Sequence, residues 1–228
     1  MNSYLNSYLV IIPAYNEEQS ILNVINSIRT YLPSIDILVI NDGSRDKTSE
    51  IARSANVFVI DLPYNIGYGG ALQTGFRFAI EYNYEYVITI DADGQHDPSS
   101  IGNLIDTMEK ENADVVIGSR FIDGDYKMSF FRKIGSKMFS IIANLYTGTK
   151  FTDPTSGFQL LNRKAFTHLA KFDNYPLDYP DVNIIIALHK IKFKVIEAPV
   201  KMNENIYGKS IHSGLKPIIY VFRMFLAI

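Results

Sequence analysis

Short apolar runs and amphipathic segments alternate along the first half of the chain. The apolar runs are typical of strands buried on both faces, and they occupy 8–12, 35–40, 57–60, 86–90 and 115–118. Between them, apolar residues recur at helical spacing, which predicts helices over 17–32, 46–55, 71–82 and 98–110. This order predicts an α/β fold with a mostly parallel sheet flanked by helices.

Beyond residue 119 the segments become longer and amphipathic. An apolar stripe at helical spacing covers 130–145 with basic neighbours, and 211–228 is apolar apart from Lys216 and Arg223. Further helices are predicted over 163–170 and 182–189, and a strand over 194–198. Amphipathic segments either pack on the sheet or lie in a membrane interface, and we favour the interface for the stripe and the tail. We expect 1–210 to form the catalytic domain and 211–228 a separate amphipathic C-terminal segment.

Composition excludes several classes of protein. The 228 residues are 47% hydrophobic, which suffices for one sizeable core, and the net charge of −2 offers no basic field for nucleic acid. The absence of cysteine excludes a disulfide framework and fits a reducing compartment. The chain starts without a signal-peptide pattern, and no apolar run reaches the roughly 20 residues of a spanning helix. We therefore expect a cytoplasmic location.

Two carboxylates, Asp91 and Asp93, follow the predicted strand 86–90. In an extended chain they share one face, and a parallel strand ends at the crevice where α/β sheets bind ligands. Mg²⁺ and Mn²⁺ prefer such oxygens and keep room for substrate phosphates, so with Gln95 the pair predicts a cation site. An ordinary surface turn has the same Asp-x-Asp-Gly sequence. His96 is either a further ligand or a turn residue.

Two other strand ends favour the binding interpretation. Residues 13–17 and 42–44 would open onto the same edge, where Asp42 can accept a hydrogen bond from a base or ribose. Asn-Asp-Gly-Ser is also favourable turn chemistry in its own right. The glycine-rich loop 65–70 does not follow the first strand, so it is not a dinucleotide fingerprint, and it either packs a helix closely or lines the nucleotide pocket.

Five motifs, in this order, resemble those of family 2 glycosyltransferases, especially the dolichyl- and polyprenyl-phosphate mannosyl/glucosyl synthases. They are Pro13-Ala-Tyr-Asn-Glu17, Asn41-Asp-Gly-Ser44 with Asp46 and Thr48, Asp91-Ala-Asp-Gly-Gln-His96, Gly118-Ser-Arg120 and Asp153-Pro-Thr-Ser-Gly-Phe158. The resemblance covers about 9–210. It implies a Rossmann-like GT-A fold, a nucleotide-sugar donor that we expect to be a UDP-sugar, Mg²⁺ or Mn²⁺, and inversion at the anomeric carbon.

The resemblance also implies roles for matching positions. Contacts to the nucleotide sugar fall to Pro13, Ala14, Tyr15, Glu17, Asp42, Asp91, Ala92 and Asp93. The implied metal ligands are Asp91, Asp93 and Gln95, and the implied catalytic residues are Asp91, Asp93 and Asp153. In the lipid-phosphate branch, the acceptor phosphate would be held by Arg120, Arg132 and Ser136, the last two lying one helical turn apart.

Two acceptors remain open, and polyprenyl phosphate is favoured over the sugar hydroxyl of a growing surface glycan. A phosphate is already anionic and needs positioning rather than a base, whereas a hydroxyl requires a carboxylate such as Asp153, Asp178 or Asp181. The late Gly208-Lys-Ser210 lacks the preceding arginine usual in the lipid-phosphate branch, and Lys209 would substitute as a point charge. A lipid acceptor implies a peripheral enzyme at the cytoplasmic face of a membrane.

Rival functions predict different features. A sugar-nucleotide pyrophosphorylase would show a basic, glycine-rich loop after its first strand, whereas residues 13–17 are acidic and lack glycine. A nucleotide-binding module without catalysis would bind nucleotide and show no metal-dependent sugar transfer.

Overall fold

The computed structural model describes residues 7–123, 130–171, 174–176 and 182–203, with the backbone alone over 130–134. Its seven strands are β1 Tyr8–Ala14, β2 Asp36–Asn41, β3 Phe58–Asp61, β4 Tyr86–Thr89, β5 Val115–Ser119, β6 Gln159–Asn162 and β7 Val195–Pro199. Its helices are α1 Ile21–Tyr31, α2 Thr48–Ser54, α3 Tyr68–Glu81, α4 Ile101–Glu111, α5 Phe130–Thr147, α6 Arg163–Leu169 and α7 Val182–Lys190.

All seven strands join one mixed sheet in the order β3-β2-β1-β4-β6-β5-β7. Strand β1 lies parallel to both β2 and β4, so the first four strands all run in one direction. Strand β6 is antiparallel to β4 and β5, and β7 is parallel to β5. The predicted α/β class with a mostly parallel sheet is confirmed, while β6 was not predicted.

The central strand β1 is buried along its whole length, which explains its continuous apolar sequence. Leu9 and Ile11 belong to the core on one face of the sheet, and Val10 and Ile12 to the core on the other. Helix α3 packs closely on the first face, since a Cβ added at Gly75 would lie 2.7 Å from two Ile11 side-chain carbons. The sheet is thus a rigid central layer that holds the strand ends in place.

Several element boundaries differ from the predicted ones because loop contacts override the apolar pattern. Helix α1 begins at Ile21 rather than at 17, because Asn16 adopts a φ of 57° and 17–20 form a turn. Helix α3 begins three residues early, directly after Gly67 with its φ of 91°. Within the described residues, the helices are all too short or too polar to cross a membrane. The predicted segment 211–228 lies outside those residues, as do Asp178, Asp181 and Lys209.

Candidate active site at the carboxyl edge of the sheet

The loops after β1 and β2 are joined by hydrogen bonds into one unit. The Asn16 N–H donates to Ser44 Oγ at 2.9 Å, and the Glu17 N–H donates to Thr48 Oγ1 at 2.8 Å. Asp46 accepts from the Thr48 N–H at 3.0 Å, at the start of α2. The first two motifs therefore meet at the same sheet edge, as the parallel arrangement predicted.

Residues predicted to contact the nucleotide occupy different depths in this unit. Pro13 and Ala14 are buried in β1, where the Ala14 carbonyl accepts the Asp42 N–H at 2.8 Å. Tyr15 is exposed, and it lines a cleft of about 480 Å³ at the ends of β1, β2 and β3. Pro13 and Ala14 thus anchor the strand end inside the sheet, and Tyr15 provides a side chain within reach of a ligand in the cleft.

Asp42 holds the glycine-rich loop in place. Its Oδ1 accepts the Ile66 N–H at 2.8 Å and its Oδ2 accepts the Gly67 N–H at 3.1 Å, just before α3. Burial raises the pKa of Asp42, against the opposing effect of these two hydrogen bonds. The turn also packs tightly, because a Cβ at Gly43 would lie 2.6 Å from the Tyr64 carbonyl carbon. Asp42 therefore has a structural task besides its predicted contact with the nucleoside.

Two residues of the cleft, Asp61 and Tyr64, were not singled out from the sequence. Asp61 ends β3 and accepts from Asn41 Nδ2 at 2.8 Å and from Arg53 Nη2 at 2.5 Å. Tyr64 is 68% exposed, so most of its ring is accessible to a ligand. The signal for Asp61 was present, because it directly follows the predicted strand 57–60, much as Asp42 follows the predicted strand 35–40.

Asp91 lies after β4, in contact with Tyr68 and His96. Its Oδ1 accepts from the Tyr68 hydroxyl at 2.9 Å, and its backbone N–H donates to His96 Nδ1 at 3.1 Å. Because Nδ1 accepts, a neutral His96 carries its proton on Nε2, which lies 3.6 Å from Asp91 Oδ2. The His96 ring is buried and stacks on Phe158 at 5.0 Å. His96 thus holds both the backbone and the carboxylate of Asp91 in place.

Gly157 closes the other side of Asp91. A Cβ at this position would lie 2.6 Å from the Tyr68 hydroxyl oxygen and 2.9 Å from Asp91 Oδ1. Its φ is outside the left-handed region, so the requirement for glycine here is one of space. Tyr68 and Gly157 therefore confine the Asp91 carboxylate, and their role was not predicted.

Asp93 faces the same crevice and carries the clearest electrostatic signature. Its Oδ1 accepts the Gln95 N–H at 2.9 Å. Burial raises the pKa of Asp93, and the neighbouring Asp91 charge raises it further. The pKa of Glu17 is also raised, by burial first and then in part by Asp93. The structure therefore brings the predicted acidic residues of the first and third motifs together.

The carboxylate pair suits a divalent cation. Over the described ranges no group of three His, Cys, Asp or Glu side chains has the geometry of a metal site. Asp91 and Asp93 instead provide two hard oxygen donors whose mutual repulsion a cation would relieve, the arrangement in which Mg²⁺ is completed by substrate phosphates and water. Gln95 lies half-buried in the same turn.

Arg120 and Asp153 form an ion pair directly after β5. Asp153 is fully buried, and its two oxygens accept from Arg120 Nε at 2.5 Å and Nη2 at 3.1 Å. The charge of Arg120 acts to lower the pKa of Asp93, against the larger effects of burial and of Asp91. Asp153 thus orients Arg120, while its predicted catalytic contact stays a prediction.

The remaining acceptor residues are only partly described. Ser136 lies in α5, where its carbonyl accepts from the Ser140 hydroxyl at 3.0 Å. The Arg132 side chain lies outside the described part of the structure. The predicted grouping of Arg120, Arg132 and Ser136 therefore remains a prediction.

Comparison with known proteins identifies the family. Residues 9–170 match the model of the family described as Glycosyl transferase family 2, and this range covers most of the chain. The chain belongs to this family. The glycosyltransferase predicted from the five motifs is confirmed, and with it the enzyme class.

Similar proteins include transferases named for lipid phosphates. The chain is 30% identical over 211 residues to the UDP-N-acetylglucosamine–dolichyl-phosphate N-acetylglucosaminyltransferase of Methanococcus voltae, covering 84% of each protein. It is 29% identical over 215 residues to the undecaprenyl-phosphate mannosyltransferase of Micrococcus luteus, covering 90% of this chain and 87% of that one. The resemblance to the polyprenyl-phosphate sugar synthase branch is thereby confirmed.

A solved structure shows the same fold at low identity. Glucosyl-3-phosphoglycerate synthase from Mycobacterium tuberculosis, in complex with Mn²⁺, uridine diphosphate and phosphoglyceric acid, superposes with a TM-score of 0.69. The match is 18% identical and covers 97% of this chain and 78% of the other. The predicted GT-A fold of this glycosyltransferase is confirmed.

Proposed function

We propose that this glycosyltransferase moves a sugar from a nucleotide sugar, which we expect to be a UDP-sugar, to polyprenyl phosphate with inversion. The observation that carries the proposal is Arg120, a positive group that buried Asp153 holds after β5 and whose charge acts on Asp93 of the carboxylate pair. A cation beside a metal-binding pair suits a reaction in which both acceptor and leaving group are anionic phosphates. The names of the two relatives support the same acceptor class.

The donor would bind along the edge from β3 to β4. The base and ribose would occupy the cleft lined by Tyr15, Tyr64 and Asp61, and the pyrophosphate would reach Asp91 and Asp93. Mg²⁺ or Mn²⁺ held by these two carboxylates would stabilise the charge that gathers on the leaving diphosphate. UDP and Mn²⁺ occur together in the complex of the structural neighbour, which supports a donor and metal of this type.

The acceptor oxygen would attack the anomeric carbon as the bond to the nucleoside diphosphate breaks. Because a phosphate oxygen is already anionic, the step requires orientation and charge balance rather than proton removal. Arg120, oriented by Asp153, would supply both. A guanidinium suits this task because its donors match phosphate oxygens in a fork.

Transfer to a glycan hydroxyl is less well supported. That reaction needs a carboxylate within reach of the hydroxyl proton. Asp153, one of the predicted bases, is fully buried and bonded to Arg120 through both oxygens. A buried carboxylate engaged in this way is poorly placed to reach an acceptor hydroxyl, which favours the phosphate acceptor.

A two-phase transfer assay tests the proposal. The enzyme, Mn²⁺ and polyprenyl phosphate are incubated with labelled nucleotide sugars, with a chelator as control. We expect chelator-sensitive label in the organic phase with one donor. Label that stays aqueous while a donor is hydrolysed would keep the donor assignment and refute the lipid-phosphate acceptor.

We further propose that α5 contributes to a peripheral contact with the cytoplasmic face of the membrane. One face of α5 buries Phe139 and Ala143, while Leu145 is 78% exposed and Ile141 is 51% exposed on another. Lys137 continues that exposed row one turn earlier. An apolar row with a basic residue suits the interface of anionic lipids.

Liposome flotation tests the membrane contact. Leu145→Ser should reduce the fraction bound to vesicles containing anionic lipid. Leu22→Ser, at an exposed leucine of α1, is the matched control and should bind as the wild type does. Equal binding of all three proteins would refute a role for α5.

A further inference from the structure

Glu197 is a half-buried carboxylate of β7 that the proposed reaction does not use. Its Oε1 accepts the Asp153 N–H at 2.6 Å. Its Oε2 accepts the Thr152 N–H at 2.8 Å and the Thr152 hydroxyl at 2.6 Å. Three donors from two consecutive residues thus converge on one side chain, which holds that stretch of the loop before β6 in place.

The loop held by Glu197 is the one that orients Arg120. Arg120 donates three hydrogen bonds to Asp153. One comes from the Arg120 backbone N–H at 3.2 Å, and the other two come from its side-chain nitrogens Nε and Nη2. Thr152 Oγ1 lies 2.6 Å from the Oγ of Ser119, the residue before Arg120. Thr152 and Asp153, the two residues bonded to Glu197, therefore both contact the end of β5, at Ser119 and Arg120.

The contact requires a carboxylate rather than any polar side chain. A carboxylate only accepts hydrogen bonds, whereas a glutamine amide would direct two N–H donors at groups that are themselves donors. Glu197→Gln keeps the size of the side chain and turns one acceptor into a donor. The loop would then have to move away from either Thr152 or Asp153.

We propose that Glu197 is a positioning residue, which sets the Arg120 guanidinium for the acceptor phosphate through Thr152 and Asp153. This inference rests on the proposed function, because it takes Arg120 as the group that binds the acceptor. Glu197 acts through the loop, so its effect should fall on the acceptor and spare the donor. It extends the site to β7, at the far edge of the sheet from β3.

The chain offers a matched control at the opposite end of the same strands. Asp114, directly before β5, accepts the Lys194 N–H at 2.9 Å and Asn162 Nδ2 at 3.0 Å. Like Glu197, it connects β7 to a neighbouring segment through a carboxylate, but it lies at the edge away from Arg120. Asp114→Asn should lower the melting temperature and leave the kinetics of both substrates unchanged.

The test combines Glu197→Gln, Arg120→Lys and their double variant, each assayed for polyprenyl-phosphate transfer and for donor hydrolysis without acceptor. We expect Glu197→Gln to lower kcat/KM for polyprenyl phosphate by about 10- to 100-fold, as a small misplacement of a binding group does. Donor hydrolysis should stay within about twofold of wild type. In the double variant the loss should not exceed that of Arg120→Lys alone, since both changes act on one interaction.

Other outcomes are decisive. An equal loss of transfer and donor hydrolysis, or full additivity with Arg120→Lys, would show a general structural role for Glu197 and overturn the inference. Wild-type acceptor kinetics in Arg120→Lys would overturn the proposed acceptor site, and the inference with it. If Glu197→Gln does not fold, Thr152→Val replaces it in the test. This change removes the Thr152 hydroxyl that donates to Glu197 and keeps the carboxylate. We expect it to cause a smaller loss, confined to sugar transfer.

Discussion

Replacing Gly157 by alanine should lower the activity of the enzyme and leave its stability almost unchanged. The added Cβ would lie 2.6 Å from the Tyr68 hydroxyl oxygen, 2.9 Å from Asp91 Oδ1 and 3.2 Å from Asp91 Oδ2. Ordinary van der Waals contact begins at 3.4 Å, so the hydroxyl and the carboxylate must both move away. The Tyr68–Asp91 hydrogen bond would be lost and the Asp91 carboxylate displaced by about half an ångström.

The size of the effect follows from the site. A misplacement of about 1 Å at a catalytic group costs about 100-fold in rate, which corresponds to about 2.7 kcal/mol of transition-state stabilisation. The folded state should lose little, because the φ of Gly157 is one that alanine accepts and Tyr68 is partly exposed. Reduced freedom of the unfolded chain contributes about 0.4–1 kcal/mol in the opposite direction. We therefore expect a loss of one to two orders of magnitude in kcat with an almost unchanged melting temperature.

Metal-dependent donor hydrolysis and thermal unfolding, measured on the same preparations, check this expectation. Gly102→Ala is the control, because a Cβ there meets nothing within 4 Å. It should keep full activity. Wild-type kcat in Gly157→Ala, with normal Mn²⁺ dependence, would refute the importance of the confined Asp91 carboxylate.

Three further predictions concern charges. Asp93→Asn should remove the rise in melting temperature produced by Mn²⁺, and it should raise the melting temperature of the metal-free protein, because burial and the Asp91 charge both disfavour a charged Asp93. An unchanged Mn²⁺ shift in a thermal scan would contradict the metal site. Asp153→Asn should lower the free energy of unfolding in urea by about 3–5 kcal/mol, since it leaves Arg120 without its buried partner; a loss below about 1 kcal/mol would speak against that pairing. Burial lowers the pKa of His168 from its ordinary value of about 6.5, so the unfolded chain binds the proton more tightly than the folded one. His168 should therefore make the free energy of unfolding decline as the pH falls below about 6.5. The difference in melting temperature between wild type and His168→Gln, followed from pH 8 to pH 5, should show that decline, and a pH-independent difference would exclude it.

The parts of the fold that could be predicted are those encoded in local sequence. The first four strands and the motifs at their ends follow from apolar runs and from the residues directly after them. Strand β6 was missed because its apolar run is only Leu160 and Leu161, between two polar residues, and because its pairing with β4 and β5 is antiparallel. A run this short carries no recognisable period, and its place in the sheet depends on distant partners.

The unpredicted parts of the site depend on contacts between distant positions. Asp153 was identified as a candidate base from its motif, but the pairing partner that limits this role, Arg120, lies 33 positions earlier. Glu197 lies 44 positions from Asp153, within a segment that reads as an ordinary strand. Tyr68 reaches Asp91 across 23 positions. Sequence reveals which groups can react, whereas the groups that hold them in place become visible only in the folded chain.

The glycine-rich loop has a consequence for how donor preference can change in this family. Asp42, on the proposed nucleoside side, holds the N–H groups of Ile66 and Gly67, and the next residue, Tyr68, bonds Asp91 on the proposed diphosphate side. In the proposed binding mode, three consecutive residues thus connect the recognition of the base to the geometry of the leaving group. A substitution at Asp42 that admits a different nucleotide would shift the Asp91 carboxylate as well. New donor specificity would therefore have to evolve together with compensating changes around Tyr68, rather than by exchange of a single pocket residue.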